Sequence, residues 1–273
     1  MLSWVDGQPS ELLSVKDRGL AYGDGLFETI AVNAGHPLLL ERHLARLAEG
    51  CVRLQIPLDL AAVRAQLLAF SQQLNEGVAK LILTRGDGQR GYTPPQPAQP
   101  RLILQAAAKP VYPATYAEQG VRLFACAARL AEQPLLAGLK HLNRLEQVLA
   151  RSEWHDTEHA EGLMLDTSGR VIEGVYSNLF VVSAGVLVTA DLSRCGVAGV
   201  MRAELLAQAT AQGIECQVRD ISYAELLAAD EVMLCNSIYG VWPVRALLAH
   251  HWSVGPLTRN CRPLPAIYWT ADS

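Results

Sequence analysis

The stretch "LDTSGRVIEGVYSNLFVV", residues 165–182, decides how the rest of the chain is read. The apolar arms "LMLD" and "VIEG" flank a Thr167-Ser168-Gly169 turn, so the segment predicts a β-hairpin with Glu173 in its second arm. A carboxylate in an apolar strand is costly unless it is paired. Its partner is either an arginine, the ordinary structural answer, or the protonated pyridine nitrogen of a bound cofactor. Ser177 and Asn178 interrupt the same apolar run and read equally as a turn or as the lining of a site.

Upstream, "LLAGLKHLNRLEQVLARSEWH" (135–155) sets Lys140 before a predicted helix in which Leu142, Leu145, Val148 and Leu149 fall near one face. The spacing predicts that the start of this helix packs against the core, with Lys140 at its edge. Lysine is scarce here, since Lys16, Lys80, Lys109 and Lys140 are the only ones. A partly desolvated lysine gives up its proton more readily, and its neutral amine attacks carbonyls to form Schiff bases. An exposed lysine that merely precedes a helix is the alternative. Downstream, "RCGVAGVMRAELLAQA" (194–209) places Gly196 and Gly199 before a helix whose first N–H groups, around Val200 and Met201, offer a phosphate cradle. A plain strand-to-helix junction would look the same. Arg46 lies on the flank of a leucine-striped helix and is either solvated or ion-paired, or offers a planar fork to a phosphate.

Composition bounds the remaining possibilities. The chain has 273 residues, half of them apolar, enough for one large or two medium domains. No apolar run approaches the roughly 20 residues of a membrane helix, and "MLSWVDGQPSELL" has no basic region followed by a long apolar stretch, so a soluble, cytoplasmic protein is expected. A formal charge of -4, with both signs scattered, gives no footprint for nucleic acid or an anionic membrane. Small molecules are the expected partners. The six cysteines form no C-x-x-C pair and are expected to be free thiols. His155 and His159 in "HDTEH" lack the glutamate of a zinc helix beside the first histidine, so a polar helix end is expected and no metal site.

The order of elements predicts an α+β fold with a smaller amino-terminal domain (1–109), an interdomain connection (110–120) and a larger carboxy-terminal domain (121–273). In the first domain, "YGDG" (22–25) turns into the strand "LFETIAVNAG", and a short strand "PLLL" leads into a helix striped by Leu40, Leu44, Leu47, Cys51 and Leu54. Asp59 caps a second helix with Leu60, Val63, Leu67, Phe70 and Leu74 in register. The strands "AKLILTRG" and "RLILQAAA" follow, separated by a glycine- and proline-rich loop from Asp87 to Pro100. Strands dominate the second domain, and Ser222 with Glu225 forms a capping box for one of its helices.

A lysine nucleophile, a strand carboxylate, a glycine-led helix and an arginine together describe a pyridoxal 5'-phosphate site. The ordered set "DRGLAYGDGLFET", "HLARL", "TRGDGQRGY", "KHLNRLEQVLAR", "VIEGVYSNLF", "GVAGVMR" and "CNSIYGVWPV" resembles the fold-type IV pyridoxal-phosphate enzymes, a family of branched-chain and D-amino acid aminotransferases and aminodeoxychorismate lyases. The resemblance implies a small α/β domain and a larger, β-barrel-like domain with helices. It implies that Lys140 holds the cofactor and moves protons, and that Glu173 faces the pyridine nitrogen. It also implies that Arg46, the amides of Val200 and Met201, and Ser237 hold the phosphate, and that Asn143 and Arg144 approach the ring oxygen. Within the family "KHLNRLEQVL" looks most like the lyases, whose substrate is 4-amino-4-deoxychorismate. Where D-amino acid aminotransferases place an arginine and a histidine, this chain has Arg90 and Tyr92, which argues for the lyase over an aminotransferase. Arg90, Tyr92 and Thr29 are the implied substrate-binding residues, and a homodimer is the implied assembly.

Overall fold

In the computed structural model, which describes residues 2–261, the predicted leucine stripe becomes one wall of a core. The chain divides into two units, residues 1–110 with Leu139–Asn143, and residues 111–138 with 144–273. The first unit contains, in order, β1 (Ser3–Val5), β2 (Gln8–Pro9), α1 (Arg18–Tyr22), β3 (Gly25–Asn33), β4 (His36–Pro37), α2 (Leu40–Leu54), α3 (Leu60–Leu74), β5 (Gly77–Thr84) and β6 (Arg101–Ala107). Its six strands form an antiparallel sheet in the order β2-β1-β6-β5-β3-β4. Leu44 and Leu47 of α2 and Leu67 and Phe70 of α3 share one core cluster with Leu26, Ile30, Leu81 and Leu104 of the sheet. Asp59 caps α3 as predicted, its Oδ1 accepting from Ala62 N at 2.9 Å. The expected strand "PLLL" is confined to His36–Pro37, because Leu39 adopts a left-handed conformation (φ 52°) and starts α2 instead.

The second unit contains α4 (Ala114–Gln119), β7 (Val121–Leu130), α5 (Leu145–Arg151), β8 (His159–Asp166), β9 (Val171–Gly174), β10 (Asn178–Ser183), β11 (Val186–Thr189), α6 (Val200–Ala211), β12 (Cys216–Val218), α7 (Tyr223–Ala228), β13 (Glu231–Asn236), β14 (Gly240–Leu247), β15 (His250–His251) and α8 (Pro256–Asn260). Strands β10, β13, β14, β7, β8 and β9 pair in that order, and β9 pairs back to β10, closing a six-stranded barrel. The two-residue alternation of strands sends neighbours to opposite faces. Leu163 and Val171 thus belong to one core cluster, while Met164 and Ile172 join Ala150 and Trp154 in another. The barrel-like domain expected from the resemblance is therefore a closed barrel.

Residues 110–120 contain α4, and Tyr112 and Tyr116 make edge contacts with Trp242, at 4.8 and 5.1 Å between ring centroids. Two local expectations are corrected. "HDTEH" is a turn rather than a helix end, with Asp156 accepting from the backbone of Glu158 and His159. The helix after Lys140 begins only at Leu145, and it turns Leu145, Val148 and Leu149 outward, leaving Ala150 as its buried residue. Apolar spacing alone does not tell a core-facing stripe from an exposed one.

Phe70 has no exposed surface and meets Trp4 edge-on at 5.4 Å. Phe70→Ala is expected to lower the unfolding free energy by about 3–5 kcal/mol, read by urea denaturation. A loss below about 1 kcal/mol would mean that α3 contributes little to that core.

Candidate functional site

Lys140 sits on extended backbone, not at a helix start. Phe27 N donates to Lys140 O at 2.9 Å, Leu142 N donates to Gly25 O at 3.1 Å, and Leu26 and His141 form an antiparallel bridge. Leu139 is buried in the core cluster of the first unit. The segment Leu139–Asn143, which the sequence assigns to the carboxy-terminal domain, therefore belongs to the first unit as a short extra rung on β3. Its backbone bonds fix the lysine's Cα as firmly as a strand would. The side chain is half-buried, with Nζ 4.3 Å from the centre of the Phe27 ring, a cation–π distance. Thr29 lies two residues along β3 from Phe27, on the same strand face.

On the other face of β3, Glu28 is buried. His43 Nδ1 and Glu28 Oε2 are 2.5 Å apart, and Arg46 holds both carboxylate oxygens, Nε to Oε1 at 2.8 Å and Nη2 to Oε2. Burial works against the charge on Glu28, but the Arg46 cation and the His43 bond prevail and hold its pKa at about 2. Burial lowers the pKa of His43, keeping the imidazole neutral. Two donors of the Arg46 guanidinium are thus committed to Glu28, which fixes its plane. Asn143 is exposed and its Nδ2 donates to Gly23 O at 3.2 Å, while Arg144 is the N-cap of α5. Neither lies within a helical turn of Lys140, because the intervening backbone is extended. Arg90 and Tyr92 are exposed on the Asp87–Pro100 loop.

In the second unit Glu173 is buried in β9, and its Oε2 accepts from Val197 N at 2.9 Å and, at the long distance of 3.4 Å, from Asn178 Nδ2. Asn178 Nδ2 also donates to Val197 O at 2.8 Å. The loop before α6 is thereby tied to both strands of the barrel seam. Gly138 extends the same loop, donating to Gly196 O and accepting from Ala198 N at 2.9 Å each. Gly199 caps α6 without a side chain, and a Cβ there would stand 1.9 Å from Asn178 Oδ1. Val200 and Met201 follow as the first buried residues of α6. Arg202, in the same turn, reaches back to Thr189 Oγ1 at 3.2 Å and Ala190 O at 3.0 Å, and burial lowers its pKa. Ser237 lies in the turn between β13 and β14, half-buried.

Two supporting carboxylates escaped the sequence reading. Glu28 orients Arg46. Glu161, fully buried in β8, accepts from Ser177 Oγ at 2.6 Å and from the backbone N–H groups of Gly162, Val175 and Tyr176 at 2.9, 3.0 and 3.3 Å. It gathers the bend that joins Glu173 to Asn178, and burial pushes its pKa up to about 8 against those bonds. The signal that picked out Glu173, a carboxylate in an apolar strand, also marks "LFETIAV" and "AEGLMLD".

The first unit thus holds a lysine fixed by backbone pairing, and the second holds a buried carboxylate at a barrel seam with a glycine-led helix beside it. The chain belongs to the aminotransferase class IV family, whose pattern matches residues 25–247. An aminodeoxychorismate lyase of Vibrio harveyi is 38% identical over 94% of this chain and 97% of its own length. The crystal structure of a 4-amino-4-deoxychorismate lyase from Pseudomonas aeruginosa is 67% identical, with a TM-score of 0.94 over 95% of this chain and 96% of that one. A D-alanine aminotransferase of Bacillus licheniformis is 27% identical over 91% of this chain and 88% of its own length.

Removing one member of a buried ion pair strands the other, so Glu28→Gln is expected to cost about 3–5 kcal/mol at neutral pH. Because the Glu28 pKa is held at about 2 against an ordinary 4.5, its stabilising effect is complete above pH 4.5 and is lost as the pH falls toward 2. Urea unfolding across that window should show a flatter pH profile for Glu28→Gln than for the parent. Parallel profiles would rule out this linkage.

Proposed function

We propose that the chain is a pyridoxal 5'-phosphate-dependent lyase that converts 4-amino-4-deoxychorismate to 4-aminobenzoate and pyruvate. What carries this reading is its 67% identity, over nearly the whole chain, with a structurally characterised 4-amino-4-deoxychorismate lyase. The cofactor fits the residues present. Gly199 lets the Asn178 amide stand against the start of α6, where a Cβ would collide with Asn178 Oδ1, and the buried Glu173, held by Val197 and Asn178, has the chemistry to face a protonated ring nitrogen. The amides of Val200 and Met201, with Arg46 and Ser237, are assigned to the phosphate, and Asn143 and Arg144 to the neighbourhood of the ring oxygen.

When bound, pyridoxal phosphate supplies an aldehyde that takes up the substrate's ring amine and an aromatic ring that accepts electron density. Lys140 Nζ is the amine that would anchor that aldehyde, and once free it is a neutral base. It then removes the proton from C4 of the substrate, and the bond between the adjacent ring carbon and the enolpyruvyl oxygen breaks. Glu173 would face the cofactor's ring nitrogen and favour its protonated form. Lys140 returns a proton to the departing enol, giving pyruvate, and aromatisation of the carbocycle drives the step. Arg90, Tyr92 and Thr29 are assigned to the substrate's carboxylates. A second copy of the chain covers the exposed Leu145, Val148 and Leu149 of α5 in this reading, making a homodimer. The six free thiols fit the reducing cytoplasm.

Borohydride should fix the cofactor on Lys140, detectable by peptide mass. Lys140→Ala should lower 4-aminobenzoate formation by on the order of 10²–10⁴. A purified protein that holds no pyridoxal phosphate, or a Lys140→Ala variant of full activity, would refute the proposal. Faster amino transfer to a keto acid than pyruvate release would favour an aminotransferase instead. Gly199→Ala, which drives a Cβ onto Asn178, should weaken cofactor binding by at least about tenfold, or about 1.4 kcal/mol, measured by titrating the apoprotein. Unchanged affinity would remove Gly199 from the cradle.

A further inference from the structure

The Asp87–Pro100 loop carries Arg90 and Tyr92, yet a different residue fixes its backbone. Arg18, buried in the first turn of α1, donates from Nη2 to Tyr92 O at 3.0 Å and from Nη1 to Gly91 O at 3.1 Å and Thr93 O at 3.4 Å. One guanidinium therefore gathers three consecutive carbonyls. Its remaining Nε pairs with Asp24 at 2.8 Å, and Asp24 is gripped on its other side by Arg85, at 2.8 and 3.0 Å. Arg85 is in turn anchored to the carbonyls of Leu54 and Gln55 at the end of α2, at 2.8 Å each. The chain of bonds runs from the end of a core helix to the tip of the loop.

Tyr22 reinforces the same point. The Arg18 guanidinium lies over its ring at 4.9 Å, and its hydroxyl accepts from Gly91 N at 3.2 Å. The Tyr22 and Tyr92 rings meet at 5.5 Å between centroids. A Cβ on Gly88 would come within 2.8 Å of Arg18 Cδ, so the loop approaches the arginine as closely as glycine allows. A surface loop normally satisfies its carbonyls with water. Here a buried cation, which has lost its own hydration, satisfies them instead, and the backbone at 91–93 has little freedom left.

We propose that Arg18 is a positioning residue for substrate recognition: by fixing the carbonyls of residues 91–93 it sets where Arg90 and Tyr92 stand toward the anionic substrate. This rests on the reading of the loop as substrate-binding given above. Arg18 itself touches no reacting atom. A rigid loop holds a carboxylate-binding arginine in one register, and the entropy of ordering it is already spent before the substrate arrives.

The test compares holoenzyme of the parent, Arg18→Lys and Tyr22→Phe. Lysine keeps the charge beside Asp24 but lacks the fork that spans three carbonyls, while phenylalanine removes only the acceptor for Gly91 N. For Arg18→Lys we expect KM for 4-amino-4-deoxychorismate to rise about tenfold, with kcat within about threefold and the cofactor absorbance unchanged. For Tyr22→Phe we expect KM to rise about two- to threefold, by the same logic. Trypsin cleavage after Arg90 should accelerate in the same order, a readout that does not depend on activity. Unchanged KM in both variants, with or without faster cleavage, overturns the proposal, as does a fall in kcat and cofactor content with KM held. A parent that turns over no aminodeoxychorismate defeats the lyase reading instead. The KM comparison then moves to an amino-acid substrate, and unchanged cleavage after Arg90 in both variants overturns the positioning role by itself.

Discussion

The barrel of the second unit closes at a single residue pair, Asn178 opposite Glu173. The same two side chains hold the loop that starts α6, through Val197 N, Val197 O and the space left by Gly199. Closing the barrel and fixing the loop before α6 are therefore one event. A residue on the seam of a closed sheet has its backbone fixed from both sides, and such a residue can carry a buried charge without drifting toward water. Asn178 is suited to this place because its amide donates to the carboxylate and to a carbonyl at once, leaving its oxygen against the glycine.

Glu28, Glu161 and Glu173 are among the buried carboxylates of strands that otherwise bury apolar side chains. Each would cost several kcal/mol if left alone. The chain meets that cost in different ways. Glu28 takes a cation and an imidazole, Glu161 takes four hydrogen-bond donors, and Glu173 takes a backbone amide and a side-chain amide. Arg46 and His43 hold the Glu28 pKa down at about 2 against burial, while burial raises Glu161 to about 8 against its neutral donors. Two buried strand carboxyls are thus moved in opposite directions, Glu28 by side chains of α2 and Glu161 by burial.

Local pattern made the helices of the first unit legible. Leu44, Leu47 and Cys51, then Val63, Leu67 and Phe70, are buried as their spacing required, and Asp59 and Ser222 cap as their chemistry required. The glycine-led α6 and the hairpin around Gly169 were legible for the same reason, since turn and cap signals lie within a few residues of the elements they end. What depends on distant pairing was not. Lys140 looked like a helix start because Leu142, Leu145, Val148 and Leu149 have helical spacing, but β3 captures its backbone, and a rung contributed from over a hundred residues away leaves no local trace. Ser177 and Asn178 marked the break between β9 and β10, but not that Glu161, from another strand, gathers that bend. The wrong face of α5 has a similar cause: periodicity gives a stripe, and only the surrounding fold gives it a direction.

The parallel pairings of β7 have a consequence for the order in which the molecule is made. Val121 stands beside Val244 and Leu123 beside Leu247, so the barrel has no partner for one edge of β7 until nearly all of the unit has left the ribosome. The sheet of the first unit is complete in sequence by Ala107. Nascent chains therefore pass through a long stage with a finished amino-terminal sheet and an open edge on β7, a stage at which unpaired strand surface is exposed to other chains. The lysine rung arrives midway through that interval, and the β3 edge it covers is occupied before the barrel can close.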